Sequence, residues 1–224
     1  LIAKEQAERA AAQSEPEILQ SDLSGLLMEL LQWGCSDPAQ MSWLDQPPVV
    51  NLLAAKRLLQ MLGALDGERL SAQGQKMAAL GNDPRLAAML VSAKSDDEAA
   101  TAAKIAAILE EPPRMGNSDL GVAFSRNQPA WQQRSQQLLK RLNVRGGEAD
   151  SSLIAPLLAG AFADRIARRR GQDGRYQLAN GMGAMLDAND ALSRHEWLIA
   201  PLLLQGSASP DARILLALLV DIDE

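Results

Sequence analysis

The residues best suited to chemistry in this chain are arginines. Arg165, Arg168, Arg169, Arg170 and Arg175 are clustered with Tyr176, and Arg141 and Arg145 lie a short way upstream. A guanidinium presents a planar fork of donors to phosphate oxygens and a flat face that stacks on bases. Between Pro112 and Arg175, eleven Lys or Arg stand against five Asp or Glu; the rest of the chain carries eleven against twenty-three. A basic middle on a chain of net charge −6 attracts a polyanion locally while the whole molecule stays acidic. Salt bridges to the acidic remainder are the competing use of the same side chains. Strand alternation puts Arg168 and Arg170 on one face and Arg169 on the other, so one set reaches a ligand. Tyr176 is the single aromatic residue of the cluster, which favours backbone contacts with little base preference.

Other stretches imitate catalytic motifs and fail. The chain has no G-x-x-x-x-G-K-[ST] loop to cradle phosphates. Asp97-Glu98 resembles the acid pair of a nucleotide-hydrolysis motif, but it opens a capped helix instead of following a buried strand. Gly181-Met182-Gly183 lacks the third Gly of a dinucleotide fingerprint, since position 186 is Leu. His195-Glu196 begins like a zinc-protease helix, yet Ile199 stands where the second His belongs. Cys35 and His195 are the only residues of their types, which excludes an internal disulfide and a Cys/His zinc cluster. No catalytic residue and no metal ligand is expected.

Three regions must position the arginines. In the first, Ser14-Glu15-Pro16-Glu17 reads as a capping box ahead of Leu19, Leu23, Leu26, Leu27, Leu30 and Leu31 at helical spacing, with Gly34 as the stop. Asp37-Pro38 starts a second helix, and Pro47-Pro48 precedes a third that Gly63 ends. Ala64–Leu70 reads as a hairpin around Asp66-Gly67, and helices followed by a tight hairpin suggest a winged helix. The second region is helical throughout, with starts at Asp83-Pro84, Ser95, near Ser118, at Pro129 and at Ser151, and breaks at Pro112-Pro113 and Gly146-Gly147. The third offers short strands at 165–170, 175–179 and 184–186, then apolar stretches at 197–204 and 213–219 whose Leu and Ala also permit helix. Short strands between turn signals suggest a small barrel.

The 224 residues are 47% hydrophobic and 22% charged, a globular composition with room for two or three small domains. No apolar run approaches the ~20 residues of a membrane helix. No leader opens the chain, and its lone cysteine fits a reducing compartment, so the cytoplasm is the expected location. Leu1 in place of Met suggests a segment of something longer.

Several motifs then point one way. Pro16–Leu23, Leu30–Gly34, Trp43–Pro48 and Leu62–Gly67 resemble the winged-helix start of DEAH-box RNA helicases. Leu70-Ser71-Ala72-Gln73-Gly74, Met77-Ala78, Pro84-Arg85-Leu86 and Met89-Leu90 resemble that family's Leu-Thr-x-x-Gly…Met-Ala…Pro-Arg-Leu…Met-Leu signature. Phe162–Arg170 and Tyr176–Ala184 resemble its bacterial, HrpB-type branch. Ser71 replaces the usual Thr, Gly81-Asn82 stand where many relatives have Pro-Leu, and Val49 ends the proline run.

The resemblance implies a mainly α chain with a C-terminal β part. Residues 1–14 would be the tail of a second RecA-like ATPase domain, 15–82 a winged helix, 83–163 a helical, ratchet-like bundle, and 164–224 an OB-like small barrel whose truncation stays open. It implies a non-catalytic accessory region of an ATP-dependent RNA helicase that guides single-stranded RNA and packs on the RecA-like domains of the same parent chain. The parent would be an NTP hydrolase binding ATP and Mg; this segment would hold neither, lie in no membrane and be monomeric. Arg141, Arg145, Arg165, Arg168, Arg169, Arg170, Arg175 and Tyr176 are the expected nucleic-acid contacts. One alternative is a protein-interaction scaffold of winged helix and bundle with no direct nucleic-acid contact. Another is a free-standing DNA-binding regulator, for which the helix before the hairpin supplies only Asn51, Lys56, Arg57 and Gln60.

Overall fold

The computed structural model describes residues 22–35, 42, 46–81, 83–113, 117–171, 174–205 and 209–220. The expected capping box at 14–17, the helix start at Asp37-Pro38, the segment Trp43–Asp45 and the tail 1–14 lie outside them. The chain divides into two compact units, one ending at Pro84 and one beginning at Arg85.

The first unit holds α1 (Ser24–Gln32), α2 (Val49–Met61), the hairpin strands β1 (Leu65–Asp66) and β2 (Arg69–Leu70), and α3 (Ala72–Leu80). Gly34, Gly63 and Gly67 all have positive φ, as the two helix stops and the hairpin turn require. Leu59, Leu62, Ala64 and Met77 are buried where helix and hairpin meet. Ser71 caps α3, its Oγ accepting from the Gly74 N–H at 2.9 Å.

The second unit opens within α4 (Pro84–Val91), whose first residue closes the first unit, and continues with α5 (Asp96–Glu110). Then come α6 (Leu120–Phe124), α7 (Pro129–Arg141) and α8 (Ile154–Ala161). Ser95 caps α5 by accepting from Glu98 N–H, and the Glu98 carboxylate accepts in return from Lys94 N–H at 2.7 Å. Ala99, Ala100, Ala102, Ala103, Ala106 and Ala107 are all buried, so α5 is covered on nearly every side and α7 packs closely along it. Trp131 of α7 is buried and donates from Nε1 to the Glu111 carbonyl at 2.8 Å, satisfying the end of α5.

The five strands are β3 (Ile166–Arg169), β4 (Arg175–Leu178), β5 (Gly183–Met185), β6 (Trp197–Leu204) and β7 (Ala212–Leu219). They close into a barrel of order β3-β4-β5-β7-β6, antiparallel throughout except for the parallel β5–β7 pair. The Leu- and Ala-rich stretches 197–204 and 213–219 are strands, because closing the ring satisfies both of their edges. Ala167, Ala184, Ala200 and Ala217 line the interior with Tyr176, Leu178, Leu198 and Ile214; small residues are what so narrow a ring admits. The helical part is joined to the barrel at β7, where the Ala217 N–H donates to the Ser118 carbonyl at 2.7 Å. Arg85 adds a second tie, a two-bond fork to Asp164 at 2.6 and 2.8 Å just before β3. No helix among the described residues is long and apolar enough to cross a membrane.

Candidate nucleic-acid interface

Strand register decides which arginines share a surface. In β4, Tyr176 and Leu178 point inward while Arg175 and Gln177 are exposed. Across the hairpin, Arg168 pairs with Gln177 and Arg169 with Tyr176, while Arg170 donates its N–H to the Arg175 carbonyl at 2.8 Å. Arg168, Arg170, Arg175 and Gln177 therefore lie on the outer face of one hairpin. The rows continue over neighbouring strands: Trp197 of β6 stands opposite Arg168, Gly183 of β5 opposite Gln177, and Arg213 of β7 beyond Met185, which is opposite Arg175. Arg168, Arg170 and Gln177 border an open groove of about 520 Å³ that Gly171 and Glu196 help to frame.

The face is basic but partly neutralised. The Arg168 Nε donates to Glu196 Oε1 at 3.3 Å, with both side chains more than half exposed. Arg175 Nη1 lies 3.6 Å from Asp211 Oδ2, and a Cβ at Gly183 would collide with that carboxylate, so glycine is what lets Asp211 lie across the sheet. The exposed Arg168–Glu196 pair contributes roughly 0–1 kcal/mol, little enough for a phosphate to replace it.

The remaining expected contacts are placed differently. Arg169 lies across from the inward Tyr176 yet is exposed and also lines the groove beside Arg168, and its Nη1 donates to the Arg194 carbonyl at 2.7 Å. Arg165 is part-buried, donating to the Pro201 carbonyl at 2.7 Å and lying over the Phe162 ring. Tyr176 is 1% exposed and turned into the barrel, its hydroxyl within 2.8 and 2.9 Å of the Leu192 and His195 carbonyls. Burial, then the nearby Arg169 and Asp190 charges in opposite senses, leaves its phenol above the ordinary value; it offers no ring face to a ligand. Arg141 and Arg145 are exposed at the C-terminal end of α7. There Arg145, Lys140 and Asn143 border a separate open groove of about 590 Å³. Arg213 is not predictable from the charge cluster because it lies far from the basic segment; only the parallel β5–β7 pairing brings it into the same row. The signal available was the period-two exposure of β7, which needs the strand assignment first.

The catalytic look-alikes have structural uses. Asp97 Oδ1 accepts from the Glu148 N–H at 2.8 Å, and Glu98 completes the α5 cap. His195 is extended backbone and Glu196 a bend ahead of β6, with Glu196 engaged by Arg168. Among the described residues, no three His, Cys, Asp or Glu converge in a group that could hold a metal ion.

No family model matches the chain. Over all 224 residues it is 99% identical to "ATP-dependent RNA helicase HrpB" of Escherichia coli (strain K12), spanning 28% of that protein's length. It is 34% identical over 82 residues to "Probable ATP-dependent RNA helicase DHR2" of Saccharomyces cerevisiae, which is 36% of this chain and 11% of that one. Two crystal structures share the fold at TM-score 0.91, each 28% covered: the E. coli DExH-box NTPase HrpB, at 99% identity over the whole chain, and the Escherichia coli DEAH/RHA helicase HrpB, at 93% over 99% of it.

Proposed function

We propose that this chain, which corresponds to the C-terminal part of an HrpB-type DEAH-box helicase, is a non-catalytic accessory region that guides single-stranded RNA along the outer face of its barrel. The observation carrying this is one row on the outer surface, Arg170 just past β3, Arg175 on β4 and, beyond Met185 of β5, Arg213 on β7. Guanidiniums aligned this way meet successive phosphates without reading bases. A five-stranded Greek-key ring supports the OB-like reading of this part, a barrel type used for single strands. The helices and hairpin of residues 22–81 support the winged-helix reading. ATP and Mg²⁺ belong, in this proposal, to RecA-like domains of the parent, with which this region packs.

The test is fluorescence anisotropy of a labelled single-stranded RNA at several salt concentrations, with the chain and its Arg170→Ala, Arg175→Ala, Arg213→Ala triple variant. Binding should weaken with salt, and the variant's slope of log K against log salt should be shallower by about 2, at roughly 0.7 for each phosphate left without its arginine. Unchanged binding by the variant refutes the barrel path. A stable complex with the parent's ATPase domains and no RNA affinity would instead favour the scaffold.

A further inference from the structure

We propose that Arg168, held over the ring of Trp197, is a platform on which a nucleobase stacks, so that the barrel grips RNA by a base as well as by phosphates. This rests on the reading that the outer face takes single-stranded RNA. The two residues stand directly opposite each other in the β3–β6 ladder, and the Arg168 guanidinium carbon lies 5.2 Å from the Trp197 ring centroid. Its Nε edge is bonded to Glu196. The group is thus fixed on one face by an aromatic ring and on one edge by a carboxylate. The side chain nevertheless remains 64% exposed, which leaves its outer face to solvent, above the groove that Gln177 borders from β4.

Its neighbours are arranged otherwise. Arg169 donates from Nη1 to the Arg194 carbonyl, Arg175 faces Asp211, and Arg165 is part-buried against Phe162 and the Pro201 carbonyl. Among the described residues of the barrel, Arg168 alone is backed by an exposed-side aromatic ring while presenting a face outward. A delocalised guanidinium stacks on bases as an aromatic side chain does. One already oriented loses less side-chain freedom on binding. The scarcity of aromatics on this surface is therefore no bar to stacking, because the flat group offered to the base is Arg168 itself. Gln177, across the hairpin, places an amide where it can meet the edge of the stacked base.

The experiment pairs two strands of equal length and charge, a labelled single-stranded oligoadenylate and its fully abasic counterpart, with the chain and its Arg168→Lys and Trp197→Leu variants. Arg168→Lys keeps the charge and removes the plane. It should weaken oligoadenylate binding about fivefold or more while leaving the abasic strand unaffected. Trp197→Leu, which keeps Arg168 but removes its support, should show the same base-dependent loss in smaller measure. Equal losses on both strands would make Arg168 a phosphate contact, and no loss on either would make the stack structural; each result overturns the platform while the RNA reading stands. If the unaltered chain binds neither strand, the RNA reading and the platform both fall.

Discussion

Replacing Arg85 with Met should cost the second unit about 3 kcal/mol and make much of its acid sensitivity disappear. Arg85 is buried, its side chain 8% exposed, and it forks onto Asp164, 22% exposed, while Nη1 also donates to the Ala161 carbonyl at 3.0 Å. Its guanidinium lies over Phe162. Met keeps the length and apolar stem but strands a carboxylate and orphans a carbonyl. Breaking a buried pair from one side costs about 3–5 kcal/mol. The lower end applies because Asp164 keeps a path to water. Burial opposes ionisation of Asp164, yet the Arg85 fork, reinforced by the Arg85 and Arg165 charges, outweighs it and holds the carboxyl below its ordinary value of 3.8. A carboxyl so lowered adds stability that is full above pH ~4 and fades as pH falls through the lowered value. Urea unfolding followed by Trp131 and Trp197, with Trp33 and Trp43 changed to Phe, should show the midpoint of Arg85→Met fall by roughly 1.5 M at a slope near 2 kcal/mol/M. The gap between parent and Arg85→Met should narrow below pH 4, and Asp164→Asn added to Arg85→Met should recover part of the loss. A cost under about 1 kcal/mol at neutral pH, or a gap independent of pH, would refute the view that this pair is buried and coupled.

Two further substitutions test the architecture. Tyr176→Phe removes a hydroxyl placed between two carbonyls and should lower stability by roughly 1–2 kcal/mol while leaving RNA affinity unchanged, as titration and denaturation of the same preparation will show. Gly74→Ala would drive a methyl into the Ala64 carbonyl oxygen, a backbone atom that cannot step aside. It should cost the first unit about 1–3 kcal/mol, seen as early loss of amide protection in α3 and the hairpin.

Punctuation and periodicity carried most of the elements. Ser95, Pro129 and Asp66-Gly67 sit at the helix starts and turn that their chemistry demands, because capping and positive φ are local requirements. Residues 197–204 and 213–219 resisted, since Leu and Ala favour helix and only ring closure makes them strands. The candidate site was legible as a charge cluster and not as a surface. Alternation separated Arg168 and Arg170 from Arg169, but the inward turn of Tyr176, the locking of Arg165 and the arrival of Arg213 depend on pairings between distant segments. The carboxylates of Glu196 and Asp211 likewise reach the arginines only once β6 and β7 are in place.

The place of β7 in the ring bears on how the molecule is made. It is the fifth barrel strand to be synthesised, yet it is inserted between β5 and β6. As a nascent chain, β3, β4 and β5 can form a meander while they emerge, but a gap one strand wide persists until Ala212–Leu219 is free. Until then β5 and β6 present bare edges, the condition that invites pairing with another copy, and the long-range β5–β7 contact makes closure slow. A chain halted before residue 212 is thus an open sheet in search of a strand, and a peptide spanning 209–220 supplied separately is the natural candidate to complete it, as in a split-reporter assay.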